Sequence, residues 1–274
     1  MHQSLIPLSV ENHKNLGLIT NRGWSFASSS PILTIVSAEV HRCAAFFPVA
    51  IMQISAKDAP EDQQEFELVS IHSVSAGENW FVAPDGRWLA GYVPAVLRAV
   101  PFRLMRAPDA QDQLVLCIDE NSPLLTDTTK DPKARPLFEK DGSLSADMKT
   151  RLDFLTAVAN DHGNTRAKLS AISKAGLLKP WSLTINKNNK PLHMKNLYQV
   201  DAEALDALSD EAFLGLRRVG ALPLIYNHLA SLAQTENLQR AATIQDQMTH
   251  QQDKKPKLED MLDMGQNQDI ELKF

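Results

Sequence analysis

The sequence predicts an α+β protein, mainly antiparallel sheet in its N-terminal half and helices with one hairpin in its C-terminal half, followed by a flexible C-terminal tail. Three observations carry this expectation. From Pro31 to Cys117, β-branched and aromatic residues recur in short runs broken by Pro and Gly, the pattern of short strands. Beyond Gly142, apolar residues fall at helical spacing behind Ser, Thr and Asp residues suited to N-caps. From about Gln245 the chain turns to Gln, Asp and Lys, a composition that buries little apolar surface. The expected division is one α+β domain over residues 1–240, β-rich over 30–120 and helix-rich over 143–240, with a linker and interaction tail over 241–274.

In the β-rich part, Ser37 is suited to cap a helix through Phe46, which Pro48 stops before an extended Val49 to Ile54. The polar run Lys57 to Glu65 reads as a loop, and Phe66 to His72 nearly alternates, as a strand with one wet face does. Trp80-Phe81-Val82 and Arg87-Trp88-Leu89 flank Ala83-Pro84-Asp85-Gly86, where Pro sets one φ and Gly accepts a positive one, so a hairpin is expected. Phe102 to Met105 and Leu114 to Ile118 complete the strands. The stretch Asn121 to Arg135 has no apolar period and reads as a mobile connection between the halves.

In the helical part, Ser145 caps a helix with Met148, Leu152, Leu155 and Ala159 on one face, ended by His162-Gly163. Thr165 opens a second short helix, closed by Gly176. Trp181 to Ile185 and His193 to Val200 form a hairpin with a polar tip at residues 186–190. Asp201 and Ser209 cap two further short helices, and Pro223 starts a long final helix that frays after Met248.

Composition narrows the function. A 274-residue chain that is 43% hydrophobic has the means to bury a sizeable core. A formal net charge of -5 offers no basic field, so no nucleic-acid partner is expected. Lys187, Lys190 and Lys195 are diluted by asparagines and read as a solvated hairpin tip. The longest apolar stretch, Cys43 to Met52, is far short of the roughly 20 residues that span a bilayer, so membrane insertion is not expected. The N-terminus lacks a cationic start and an apolar core, which disfavours a secretory signal. Cys43 and Cys117 sit in apolar runs without a CxxC element and read as buried, reduced thiols of a cytoplasmic protein.

No nucleophile elbow, phosphate-binding glycine loop, zinc-binding His-Glu-x-x-His or dinucleotide fingerprint occurs. The eight histidines do not pair at ligand spacing, so no metal or cofactor is expected. No catalytic residue stands out. Asp119-Glu120 at a strand end fits a general acid or base, but a strand leaving the core also ends in charge. The cluster Trp80, Arg87, Trp88, Tyr92 and Arg98 is either a ligand site, with a guanidinium fork and stacking faces, or a turn over core aromatics. Arg98 lies in an apolar stretch and needs an acid partner, Glu78 or Asp119 being the candidates. His228 fits a hydrogen-bonded position within a helix packing layer.

The run from Gly77-Glu78-Asn79-Trp80-Phe81-Val82-Ala83-Pro84-Asp85-Gly86-Arg87-Trp88 to Val100-Pro101-Phe102 resembles the central signature of the SapC family. Phe46-Phe47-Pro48-Val49, Leu116-Cys117-Ile118-Asp119-Glu120, Pro136-Leu137-Phe138, Gly176-Leu177-Leu178-Lys179-Pro180, Leu197-Tyr198-Gln199-Val200-Asp201 and His228-Leu229-Ala230-Ser231-Leu232 follow in the family's order. The similarity spans residues 30–233 and implies a protein of a Gram-negative bacterium. It assigns no catalytic residue. The family's name, from a surface-layer locus, implies as one alternative a surface-layer-associated accessory role. The polar tail after Thr235 departs from the family pattern.

In that tail, Leu258, Met261 and Leu262 fall at i, i+3, i+4 among acids, the spacing of a short recognition helix. Ile270, Leu272 and Phe274 alternate with Glu271 and Lys273, which suits strand addition. The same motifs also suit docking on their own domain. The expected function is a non-enzymatic adaptor that binds one or more proteins, with the body as docking surface and the tail as a linear motif. A small-ligand protein or enzyme with a pocket near Trp80, Arg87, Trp88 and Arg98 is the alternative.

Overall fold

The computed structural model describes residues 5–19, 23–56, 59–60, 63–107 and 110–253. The described residues include three antiparallel sheets and eight α-helices. The chain opens with β1 (Leu5–Pro7), α1 (Val10–His13) and β2 (Leu16–Leu18), then β3 (Ile32–Thr34), α2 (Val40–Cys43), β4 (Val49–Gln53) and β5 (Phe66–Ile71). Next come α3 (Ala95–Ala99), β6 (Phe102–Ala107), β7 (Ala110–Asp119), β8 (Leu125–Asp127) and β9 (Arg135–Pro136). The C-terminal half holds α4 (Ala146–Lys174), β10 (Leu178–Lys187), β11 (Lys190–Val200), α5 (Ala202–Asp206), α6 (Asp210–Arg218), α7 (Leu222–Ser231) and α8 (Thr235–Asp253).

The central sheet runs β10-β11-β4-β5-β3, so the C-terminal hairpin extends a sheet begun in the N-terminal half. Leu197↔Met52 and Tyr198↔Ile51 set that junction. β4 and β5 are buried on both faces, which explains the unbroken apolar Val49-Ala50-Ile51. Helices α4, α6, α7 and α8 supply Leu169, Ile172, Leu216, Leu224, Ile225, Leu238 and Ala242 to the main core against this sheet. A second sheet, β1-β7-β6, and a third, β8-β2-β9, cover a smaller core of Phe102, Ile118, Leu137, Met148 and Leu155. The fold is therefore the α+β class that the sequence predicts.

Several local expectations are corrected. Helix α4 runs unbroken through His162-Gly163, because Met148, Leu155, Leu169 and Ile172 lie along one buried stripe and packing outweighs the ~1 kcal/mol cost of one glycine. Asn121 to Arg135 is not a loose connection: β8 and β9 flank β2, and Asp127, Ser122 and Asp131 close successive turns through Thr129, Leu124 and Lys133 N–H groups. The strands β1 and β2 precede the expected start of the sheet region. Ser37 does not cap a helix with its hydroxyl, which instead contacts Asp161 at 3.1 Å; a 3-10 turn, Ser37–Glu39, precedes the short α2. The hairpin tip is a two-residue turn at Asn188 and Asn189, both with positive φ, instead of five residues. The long final helix divides at a 3-10 turn, Leu232–Gln234. Its last part, α8, is helical through Asp253, so the helix continues past the expected fraying at Met248 and takes in the first part of the linker-like stretch from Gln245.

Asp201 and Ser209 do cap α5 and α6, accepting from Glu203 and Ala212 N–H, and Pro223 lies in the first turn of α7. The tail motifs Leu258, Met261, Leu262, Ile270, Leu272 and Phe274 lie outside the described residues. Among the described residues no helix is long and apolar enough to cross a membrane.

Candidate functional site

The five residues singled out in the sequence separate into three environments. Trp80 is 1% exposed, donates from Nε1 to Glu78 at 2.7 Å and lies under the Lys187 ammonium, 5.5 Å from its ring. Trp88 is half-buried and donates from Nε1 to the Tyr92 carbonyl at 2.7 Å, packed among Trp24, Phe47 and His72. Both indole N–H groups are satisfied within the fold. Arg87 is exposed at the turn and pairs with Asp85 at 2.7 Å. That turn closes through Gly86 N–H to the Ala83 carbonyl, with Val82 opposite Trp88. Gly86 has φ +84, and a Cβ there would stand 2.5 Å from Ser25 Oγ, so only glycine fits.

Tyr92 and Arg98 belong together, and their acid partner is Glu39, not Glu78 or Asp119. Glu39 is buried; its Oε2 accepts from Tyr92 OH at 2.7 Å and from Ala95 N–H at 2.8 Å. Arg98 Nη2 lies 4.0 Å from Oε2 and donates to Tyr92 Oη at 3.0 Å, while its Nε donates to the Val93 carbonyl. Burial, then the Glu39 carboxylate, raises the Tyr92 phenol above its ordinary range, so it remains a donor. Glu78 instead pairs with Lys187, and Asp119 accepts from Asn121 N–H.

From this buried anchor the Arg98 guanidinium reaches an open cleft of about 460 Å³ between α3, α4 and the segment around Trp24. Arg98 stacks over Phe154 at 4.8 Å. Arg151 donates to the Arg98 carbonyl at 2.8 Å and lies over Phe102, and Arg135 pairs with Asp147 at 2.7 Å. Trp24, Phe26 and Phe154 supply aromatic wall. Burial lowers the Arg151 pKa from its ordinary value, and the charge of Arg135 lowers it further while Asp147 opposes this. The cleft thus carries three guanidinium groups against Asp147 on its wall and Glu39 behind Arg98. Such surplus positive charge, partly desolvated and backed by aromatic surface, suits an anionic group.

One part of this cleft was legible. Asp147, Thr150, Arg151 and Phe154 fall at i, i+3, i+4, i+7, one face of α4 beside its apolar stripe. Trp24 and Phe26 come from one 3-10 turn, Glu39 from another and Arg135 from β9, and no sequence spacing joins them to Arg98.

Other reactive groups are committed to structure. His72 Nε2 and Ser70 Oγ are 2.9 Å apart, but both side chains are fully buried among Phe47, Phe81 and Trp88, out of reach of any substrate. His228 Nε2 accepts from Val200 N–H at 3.0 Å within the α7 packing layer. Lys168 Nζ reaches Ser37 Oγ at 2.7 Å, and Asp161 accepts from that hydroxyl and from the neighbouring Ala38 N–H, so the group ties α4 to the turn before α2. Glu120 contacts the buried His13 at 3.0 Å. Cys43 and Cys117 are buried free thiols, and burial raises both pKa values. Among the described residues no cluster of His, Cys, Asp and Glu is placed to hold a metal ion.

No curated protein and no solved structure matches the chain. The SapC family model matches residues 8–238, which takes in β2, the Glu39–Tyr92–Arg98 anchor, all three cleft arginines and the central sheet, and the chain therefore belongs to the SapC family.

Proposed function

We propose that this protein acts by binding, as a non-enzymatic adaptor, and that the cleft of Arg98, Arg135 and Arg151 is the docking site on its body for an anionic group. The observation that carries the reading is the fixed surplus of guanidinium charge. Arg98 is held by Tyr92, Val93 and Phe154, and Arg151 by the Arg98 carbonyl and Phe102, so two of three forks are positioned before any ligand arrives. Preorganisation lowers the entropy lost on binding. Binding is favoured over catalysis because the described cleft wall offers arginines, the ion-paired Asp147 and Thr150, with no paired base and nucleophile among the described residues.

Phenyl phosphate titrated into the full-length protein, followed through the arginine side-chain Nε–H signals, tests the reading. Shifts centred on Arg98, Arg135 and Arg151, weakened at least tenfold by Arg151→Gln, are expected. Shifts spread over exposed arginines such as Arg240, or an affinity indifferent to Arg151→Gln, would reject it.

A further inference from the structure

We infer that the acidic stretch Leu258–Phe274 of this same chain docks in the arginine cleft of its own body. The inference rests on the anion-binding reading of that cleft. It begins with where the described chain ends. On α8, Gln245 and Thr249 line a second hollow of about 310 Å³ together with Ser25 and Ser28. Trp24 and Phe26 alternate with those serines along the same short segment, and they form the wall of the arginine cleft. The last described helix therefore runs beside the rim of the cleft. Asp253 is one turn beyond Thr249, and each following residue extends the reach by up to about 3.3 Å, so a stretch beginning at Leu258 spans the rim without difficulty.

The chemistry of the stretch matches the cleft. Glu259, Asp260, Asp263, Asp269 and Glu271 stand against a single Lys273, while Lys254, Lys255 and Lys257 all precede it. Its acids complement Arg98, Arg135 and Arg151, whose charge Asp147 and Glu39 offset only in part. Apolar residues, among them Leu258, Met261, Leu262, Ile270, Leu272 and Phe274, are interspersed with these acids, and Trp24, Phe26 and Phe154 line the cleft together with the arginines. Tethering strengthens the match, because a segment joined by a short linker is present at a local concentration of order millimolar. Contacts too weak to hold a free peptide then suffice. The tail in this arrangement competes with any external anion.

The test uses the full chain. A nitroxide on Asn267→Cys labels selectively, since Cys43 and Cys117 are 0% and 5% exposed. Paramagnetic broadening is expected at the side chains of Arg135 and Arg151, not at the exposed Arg240. It should vanish when the five acids are changed to their amides, and that variant should bind phenyl phosphate about tenfold more tightly than wild type. Broadening elsewhere, or none, overturns the inference. Broadening that appears only when the nitroxide and the isotope label are on different copies also overturns it, in favour of docking between chains. The broadening does not depend on phenyl phosphate: arginines that ignore the probe but sense the tail would reject the ligand reading and uphold the tail contact, and the converse would do the reverse.

Discussion

The hydroxyl of Tyr92 donates to the Glu39 carboxylate at 2.7 Å, and this carboxylate, 5% exposed, also accepts from the first N–H of α3. One acid thus fixes both the phenol and the short helix that carries Arg98. Removing it leaves two donors without partners in a buried site, where each unsatisfied group costs about 1–3 kcal/mol. Glu39→Ala should lower the unfolding free energy by about 2–4 kcal/mol, and Tyr92→Phe by about 1–2 kcal/mol. Urea unfolding measures both. An unchanged midpoint for Glu39→Ala would mean that the carboxylate is not the anchor of α3.

Two buried histidines give the fold an acid limit. Burial lowers the pKa of His72 from its ordinary 6.5 to about 3 and that of His228 to about 4. The unfolded chain binds these protons first, so stability is full above pH 6.5 and falls as the pH drops toward the folded values. At pH 5 each histidine should withdraw roughly 2 kcal/mol relative to pH 7.5. His228→Asn should remove about half of that difference. Equal urea midpoints for the wild-type protein at the two pH values would contradict the burial of both rings.

Gly163 lies inside α4, and a Cβ built on it meets nothing within 4 Å. Its φ is not in the left-handed region, so alanine fits without strain and narrows the unfolded ensemble. Gly163→Ala should therefore raise stability by about 0.5–1 kcal/mol, visible as a higher urea midpoint with an unchanged slope. A loss of stability would point to a break in the helix at this residue.

The same glycine shows how far the sequence carries. Strands such as Phe66–Ile71, the caps Ser145, Asp201 and Ser209, and the turn at Gly86 are written in local chemistry, and local chemistry produces them. His162-Gly163 is an equally local stop signal, but Thr165, Leu169 and Ile172 continue the buried stripe and override it. β2 was illegible for the opposite reason: three residues with no alternation become a strand only because β8 and β9 arrive from more than a hundred residues away. The site follows the same division. The α4 face of Asp147, Arg151 and Phe154 has helical spacing, whereas Glu39 meets Tyr92 across 53 positions and Arg151 meets the Arg98 carbonyl across the same separation. Arg98 signalled from sequence that an acid had to be near. Only the packing of the 3-10 turn Ser37–Glu39 against α3 says which one.

Gln245 is where composition misled most, and it supplies the last prediction. At the head of a stretch rich in Gln, Asp and Lys it reads as linker, yet its amide donates to the carbonyls of Trp80 at 3.1 Å and Val82 at 2.7 Å. Gln239, two turns earlier, exchanges hydrogen bonds with both the N–H and the carbonyl of Asn186, and Leu238 and Ala242 are buried on the same helix. α8 is thereby fastened to the β10 end and to the Trp80 loop together. Gln245→Ala removes two bonds at the outer fastening and should cost about 1–2 kcal/mol. The loss should be local. Amide exchange is expected to quicken over the last turns of α8 while β4 and β5 keep their protection, because Leu238 and Ala242 still hold the first turns. Exchange that stays slow to the end of α8 would show that apolar packing alone seats the helix. Exchange that quickens throughout the central sheet would show instead that α8 is integral to the main core.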